Sequence, residues 1–169
     1  MALTWNGVAA ILTNSSDQVL LQHRSKDAKF FPDRWSVFTG AVTENDKDPE
    51  QAVRRELGAK LHVKYADGNQ PFSPHNLQPF RKYRFNNYGV ADGEASKQDC
   101  VQYVFEGQLL VPEKGWLNLD DLVLKQGDDM TFISADEIPK MNLIANYPQI
   151  LGHYLTPTPE AQDPDMIRW

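Results

Sequence analysis

Charged side chains are concentrated between residues 40 and 63, in the stretch GAVTENDKDPEQAVRRELGAKLHV. Acidic residues stand there at every second position ahead of a helical pattern: Glu44, Asp46, Asp48 and Glu50. Carboxylate oxygens are the ligands that hard divalent cations such as Mg²⁺ prefer. The first chemistry to consider for this stretch is therefore cation binding, although acidic runs of this kind also occur in solvated turns.

The segment DPEQAVRREL, residues 48–57, predicts a helix. Asp48 is a suitable N-cap, Pro49 suits the first helical position, and Glu50 favours the positive end of the helix dipole. An apolar stripe recurs at intervals of four, at Val53, Leu57 and Leu61, and provides one face to bury. Glu56 and Lys60 would share the opposite face, in the favoured orientation for a helical ion pair.

Short runs rich in β-branched residues or leucine, bounded by turn residues, predict strands around this helix. The candidate strands are residues 7–14, 18–24, 34–42, 80–89, 99–110 and 130–138, the last running into a short helical turn. Residues 66–79 are rich in Gly, Pro and Asn and predict a long loop, and residues 90–98 form a polar link. Residues 143–155 predict a C-terminal helix that Pro148 starts or kinks. Strands flanked by two helices indicate an α/β fold with a mixed sheet between helices.

Residues 40–63 resemble the Nudix box. Its pattern is Gly, five residues, Glu, seven residues, Arg-Glu, an aliphatic residue, any residue, Glu-Glu, any residue, Gly and an aliphatic residue. Arg55, Glu56 and Leu57 match the central triplet and Val63 matches the final position. Gly40 and Ala41 stand where family members usually have two glycines, so Ala41 occupies the first position of the pattern. The resemblance extends over about residues 5–155, through VLLQHRSKDAKFFPDRW and DDMTFISADEIPKMNLIANYPQIL.

The resemblance implies a Nudix-like α/β/α sandwich, with a domain over residues 1–156 and a proline-rich tail over 157–169. It also implies Mg²⁺ or Mn²⁺ as cofactor if the chain is active, with Glu56 as catalytic residue and metal ligand and Arg55 orienting Glu56 by ion pairing. Glu50 and Asp129 are the candidates to complete the metal site.

The chain differs from the Nudix box at the positions whose carboxylates bind metal in the family. Lys47 stands at the first glutamate, Ala59 and Lys60 replace the Glu-Glu pair, and His62 replaces the last glycine. Replacing two carboxylates by a methyl group and an ammonium predicts weak divalent-cation binding at best. The alternative to a Mg²⁺ or Mn²⁺ cofactor is therefore that the protein has no cofactor. A second register is open, because Gly58 can end the helix early as a left-handed cap.

Candidates for contacts with a ligand lie on several elements: Arg24, Arg34, Gly40, Arg81 and Tyr83. Alternation along a strand puts Arg81 and Tyr83 on one face and Lys82 and Arg84 on the other. The resemblance implies a small phosphorylated metabolite or nucleotide, such as a nucleoside diphosphate derivative, as the partner. Hydrolysis of that ligand is one hypothesis, and a non-catalytic sensor or interaction module on the same fold is the other.

A third hypothesis is chemistry related to isopentenyl-diphosphate isomerisation, which LLQHRS and FPDRW also resemble. The cysteine usual in that branch has no counterpart near Gly40, since the only cysteine is Cys100. One cysteine excludes an internal disulfide framework and a thiolate metal site.

Charge and apolar composition reduce the classes of partner that we expect. A net charge of -6 and an isoelectric point near 5.1 oppose binding of long nucleic acid. No apolar run reaches the roughly 18 residues that span a bilayer, and no charged leader precedes the first apolar run. We expect a cytoplasmic protein without a membrane partner, and the resemblance adds a homodimer as an expectation.

Overall fold

A computed structural model describes residues 3–29, 31–85, 98–144, 146–156 and 166–167. The main sheet contains eight described strands: β1 (Leu3–Thr13), β2 (Val19–His23), β3 (Trp35–Ser36), β4 (Phe38–Ala41), β7 (Gln78–Phe85), β8 (Gln98–Gln108), β12 (Asp129–Ile133) and β13 (Met166–Ile167). Its spine has the order β12-β2-β1-β8-β7-β13, with β3 paired to β2 and β4 paired to β1. The sheet is mixed, because β1 and β8 are parallel while the other pairs are antiparallel.

Two α-helices cover this sheet, α1 (Pro49–Lys60) and α2 (Tyr147–Leu155). The remaining strands form small sheets beside it: β5 (Leu61–Tyr65), β6 (Gly68–Pro71) and β11 (Leu122–Leu124) in one, and β9 (Leu110–Val111) with β10 (Gly115–Trp116) in the other. Short 3-10 turns occupy Leu119–Asp121 and Ala135–Lys140. Among the described helices, none has both the length and the apolar composition to cross a membrane.

Alternation along β1 divides the core into two layers. Val8, Ala10 and Leu12 pack in the cluster that buries the apolar face of α1. Ala9 and Ile11 point the other way, into the cluster that buries α2. The sheet therefore lies between the helices, which confirms the predicted α/β/α sandwich.

The predicted strand over residues 34–42 is divided in two. Residues 35–36 pair with β2 as β3, and residues 38–41 pair with β1 as β4. β1 and β2 pair only at Thr13 and Val19, beside their connecting turn, so the single segment fills the gap between them by changing partner. The separation is a tertiary effect that residue propensity does not encode.

Residues 66–79 are not the continuous loop that their composition predicts. β5 follows α1 directly and pairs with β6 through a short turn, in which Tyr65 stands opposite Gly68. Gly68 has a φ of 131°, a conformation that side chains other than glycine rarely adopt. This Asp67-Gly68 sequence is a hairpin signal within the otherwise loop-like composition.

The C-terminal helix begins later than predicted, at Tyr147, with Pro148 in its first turn. Residues 86–97, which include part of the predicted strand over 80–89 and most of the polar link, lie outside the described residues. So do residues 157–165, 168 and 169 of the predicted tail, of which only Met166 and Ile167 are described, paired to β7 at the sheet edge. Cys100 is fully buried, and burial raises the pKa of its thiol to about 12.

Candidate functional site

The helix α1 brings the motif residues to the edge of the main sheet. Asp48 caps its start, where the carboxylate accepts a hydrogen bond from the Gln51 N–H at 2.8 Å. The helix continues through Gly58 to Lys60, and its last cap is Leu61 in extended conformation. Glu56 and Lys60 are therefore one turn apart on the same helix face, as in the first of the two registers that the sequence leaves open.

Gly40 allows the helix to approach strand β4 closely. A Cβ atom at this position would lie 2.2 Å from Cγ and 2.7 Å from Oε2 of Glu56. No real Cβ atom tolerates such a distance from a neighbouring carbon, so the Glu56 side chain lies where any larger residue would have its own side chain. The predicted ligand-contact position Gly40 thus directly positions Glu56.

Arg55 joins two carboxylates. Its Nε and Nη2 atoms donate to Oδ1 and Oδ2 of Asp46 at 3.1 and 2.8 Å, which is the bidentate geometry that makes arginine pairs strong. Nη1 donates to Oε1 of Glu56 at 2.7 Å, and Nη2 also donates to the carbonyl oxygen of Ala41 at 2.9 Å. Arg55 and Glu56, predicted from sequence as a pair, are therefore in contact.

Lys60 completes the arrangement on the other side of Glu56. Its Nζ lies 3.1 Å from Oε2 of Glu56 and donates a hydrogen bond to the backbone carbonyl of Thr39. The Lys60 side chain is 13% exposed and that of Glu56 18%, so both charged groups are mostly withdrawn from water. We call Asp46, Arg55, Glu56 and Lys60 the α1 charge cluster.

The α1 charge cluster balances its own charges, with two carboxylates and two cations. The hydrogen bond from Arg55 holds the pKa of the Asp46 carboxyl far below its usual range, and backbone and side-chain bonds from Thr43 act in the same direction. Reciprocally, the bond to Asp46 raises the pKa of the Arg55 guanidinium. No excess negative charge is left for a divalent cation.

The residues present do not fit the divalent metal that the Nudix resemblance implies. One oxygen of Glu56 is bound to Arg55 and the other to Lys60, while both oxygens of Asp46 are bound to Arg55. Within the described ranges, no three His, Cys, Asp or Glu side chains converge into a metal-binding group. The oxygen ligands that a hard cation would need are already paired with cationic side chains.

The other acidic residues of the loop and first turn serve local structure. Asp48 is the N-cap, and the Glu50 carboxylate lies 4.0 Å from Nε of Arg54 on the following turn. The structure does not bring Glu50, a predicted metal ligand, to Glu56. Positions six apart on a helix point in directions well separated around its axis.

Asp129, the second predicted metal ligand, lies on β12, and its side chain accepts a hydrogen bond from its neighbour's amide, the Met130 N–H, at 2.8 Å. Met130 and Phe132 pack against the α1-side core, whereas Ile133 packs on the α2 side. By strand alternation, Asp129 points to the α2 side, away from Glu56. The neighbouring Asp128 lies 3.9 Å from Nδ1 of His23.

The predicted ligand-contact arginines divide into two places. The amide of Arg24 donates to the carbonyl of Arg34 at 2.8 Å, which puts these two residues side by side where β2 and β3 begin to separate. Arg81 stands opposite Val104, and Tyr83 opposite Gln102, on the α2 side of the sheet. Tyr83 is fully buried, with its hydroxyl 3.0 Å from Nδ1 of His153, so it serves the core.

A separate open cleft of about 450 Å³ lies at the first turn of α1. Glu50 and Pro79 line it together with Lys82, Tyr103 and Phe105. The Lys82 ammonium lies 5.3 Å from the centre of the ring of Tyr103, its partner on β8. Lys82 thus lies on the opposite face of β7 from Arg81 and Tyr83, as strand alternation predicts. Asp48 also lines the cleft, two residues after Asp46 of the α1 charge cluster. With a rise of about 1.5 Å per residue, Glu50 and Lys60 are roughly 15 Å apart along the helix axis, so the cleft lies at the opposite end of α1 from Lys60.

Asp46 and Lys60 belong to the site although the sequence marks them only as part of an acidic run and as an ion-pair partner, and Thr39 is not marked at all. The spacing of Glu56 and Lys60 signals their ion pair, and Asp46 belongs to the acidic run. Nothing in the sequence marks the Thr39 carbonyl, because every residue carries this group and only the fold directs one of them at Lys60.

An eight-stranded mixed sheet between two helices, with a charged cluster where one helix abuts a strand, defines an α/β/α sandwich protein whose candidate site lies at that junction. The model of the NUDIX domain family matches residues 3–146. The chain therefore belongs to the Nudix family.

Solved structures share this fold. The MutT protein from Methanosarcina mazei Go1 is 17% identical with a TM-score of 0.64, over 90% of this chain and 94% of that one. The NUDIX domain of Shewanella oneidensis NrtR, solved in complex with ADP ribose, is 18% identical with a TM-score of 0.63, over 91% and 88%. The E. coli dihydroneopterin triphosphate pyrophosphohydrolase is 14% identical with a TM-score of 0.60, over 92% and 99%. The comparison with curated proteins found no match.

Proposed function

We propose that this chain binds a nucleoside diphosphate derivative, or a similar small phosphorylated metabolite, at the junction of α1 and β4. We propose further that its pyrophosphohydrolase activity is weakened or lost. The observation that carries this proposal is the state of Glu56, whose two carboxylate oxygens are paired with Arg55 and Lys60. A carboxylate whose two oxygens are already paired with cationic side chains is a poor metal ligand.

Support for the ligand class comes from the family. The related structures include one complexed with ADP ribose and one named for a triphosphate substrate. The α1 charge cluster contributes two cationic side chains, Arg55 and Lys60, on either side of Glu56. Cationic side chains are a usual means of binding phosphate.

The test is a panel of ADP-ribose, diadenosine polyphosphates, nucleoside triphosphates and nucleotide sugars, each with Mg²⁺ or Mn²⁺. Binding is measured by calorimetry, and turnover by phosphate release and chromatography. We expect saturable binding of at least one compound, with turnover no higher than in Glu56→Gln. Glu113→Gln, the same substitution in the β9–β10 turn, is the matched control.

Two results would contradict the proposal, and they separate its parts. Metal-dependent turnover that Glu56→Gln abolishes and Glu113→Gln preserves would show an active hydrolase. A panel with no binding by any compound would remove the ligand class and leave a protein-interaction module as the remaining hypothesis.

A further inference from the structure

We infer that the ammonium of Lys60 is a built-in replacement for a divalent cation, and that this site binds its phosphorylated ligand without metal. The ligand class in this inference rests on the proposed function. The replacement of the metal by Lys60 does not, because it depends only on residues of this chain.

Two oxygen atoms accept hydrogen bonds or ion-pair contacts from Nζ of Lys60. Its two acceptors, Oε2 of Glu56 and the carbonyl oxygen of Thr39, are a carboxylate and a backbone carbonyl. Both kinds of oxygen are among the usual protein ligands of hard divalent cations. The ammonium thus lies between ligands suited to a hard cation, and it supplies the positive charge there itself.

The fold fixes the position of the Lys60 ammonium. Lys60 is the last residue of α1, and the peptide after it begins β5, so its backbone is held between two elements. The carbonyl of Lys60 also accepts a hydrogen bond from the Lys125 N–H at 2.8 Å. Glu56 is in turn fixed by Arg55 and by its fit against Gly40. The ammonium therefore has a defined position before any ligand arrives.

One N–H group of the Lys60 ammonium remains available to a ligand. A lysine ammonium has three N–H groups, and the described residues provide acceptors for two of them, at Thr39 and Glu56. The third can donate to a phosphate oxygen, because the Lys60 side chain is 13% exposed and thus reaches solvent. Because Lys60 also neutralises Glu56, a diphosphate approaching this point does not meet an unpaired carboxylate.

The difference in chemistry between the two cations explains why binding and hydrolysis separate. A divalent ion lowers the pKa of a bound water and generates hydroxide, which an ammonium cannot do because it has no coordination position for water. Lys60 can supply electrostatic attraction and one directed hydrogen bond, but no nucleophile.

The experiment uses ADP as the probe, titrated calorimetrically into the full chain in EDTA and in Mg²⁺. We expect the same affinity in both buffers. Lys60→Met should weaken binding by about tenfold or more, the loss expected for one hydrogen bond to a charged group. Lys60→Arg should restore part of it. Lys64→Met, an exposed lysine on the adjoining strand β5, should keep the wild-type affinity.

A second arm measures Mn²⁺ binding without nucleotide, by electron paramagnetic resonance, so that the metal question does not depend on ADP. Lys60→Glu should bind Mn²⁺ more tightly than the wild type, because it exchanges the resident cation for a carboxylate. Circular dichroism of each variant checks that it is folded.

The outcomes separate the two proposals. ADP binding that requires Mg²⁺ would overturn the inference about Lys60 and leave the proposed ligand class standing. If ADP binds in neither buffer, nucleoside diphosphate binding is not supported and the Mn²⁺ arm decides: equal Mn²⁺ affinity in wild type and Lys60→Glu overturns the inference, and tighter binding by Lys60→Glu supports the cation replacement.

Discussion

At the residue scale, the absence of one methyl group at Gly40 decides where Glu56 lies. A Cβ there would overlap the Glu56 side chain at 2.2 Å, so the carboxylate occupies space beside bare backbone. Gly40 thus leaves the space in which Glu56 lies between Arg55 and Lys60, so the charge balance of the site depends on a residue that carries no charge.

Gly40→Ala should destabilise the protein by about 1–3 kcal/mol, the usual cost of forcing an extra methyl group into a packed site. Gly152→Ala is the matched control, because a Cβ on Gly152 meets nothing within 4 Å and this glycine lies inside helix α2. The control should be neutral or stabilising by up to about 1 kcal/mol. Urea denaturation measures both, and equal effects of the two variants would refute the close approach.

Asp46 should make stability depend on pH in the acid range. Because Arg55 lowers its folded-state pKa, the stabilisation is fully present above the unfolded-state pKa of about 4. It is lost as the pH falls below that value towards the folded-state pKa. The stability advantage of wild type over Asp46→Asn should therefore shrink between pH 5 and pH 2.5, as measured by urea denaturation at each pH.

A constant difference between wild type and Asp46→Asn over the same range would contradict the role of the Asp46–Arg55 pair.

At the element scale, α1 is specified by local signals at its start and by tertiary packing at its end. Asp48, Pro49 and Glu50 predict the first turn from sequence alone, because capping and dipole effects act within a few residues. The end is ambiguous locally, since Gly58 is compatible with both a helical and a left-handed conformation. In the structure, Leu61 is fully buried and leads into β5, so the helix continues to Lys60.

Gly58→Ala tests this register. Inside a helix the change should stabilise the protein by about 0.5–1 kcal/mol, because alanine has the higher helix propensity. A Cβ on Gly58 would meet Cβ of Pro71 at 3.4 Å, an ordinary contact. Thermal and urea denaturation measure the effect. A clear loss of stability would instead indicate a left-handed cap at Gly58, which would remove Lys60 from the face of Glu56.

Other elements show where sequence reasoning reaches its limit. The division of residues 34–42 into β3 and β4 depends on the separation of β1 from β2, which no local pattern encodes. The side of the sheet that Asp129 faces follows from the packing of its neighbour Met130, not from its acidic character. The Glu56–Lys60 pair could be predicted because helix geometry alone brings residues four apart together.

At the scale of the whole molecule, the fold and the chemistry of the site vary independently. The match of the NUDIX domain model over residues 3–146 places the chain in the Nudix family, and the mixed sheet between two helical layers is the fold that it shares with solved structures. The carboxylates that would hold a metal are paired within the chain, with Lys60 between Glu56 and Thr39. We propose on this basis that the Lys60 ammonium takes the place of a bound divalent cation in this Nudix protein.

The most direct test of that claim is a Mn²⁺ titration followed by backbone amide NMR. Paramagnetic broadening reports a bound Mn²⁺ residue by residue, so the amides of Gly40, Ala41 and Glu56 serve as the probes. In the wild type these signals should keep their intensity at Mn²⁺ concentrations that broaden them in Ala59→Glu/Lys60→Glu, which supplies two carboxylates beside Glu56. Broadening of the same signals at the same Mn²⁺ concentration in both proteins would contradict the replacement of the metal by Lys60.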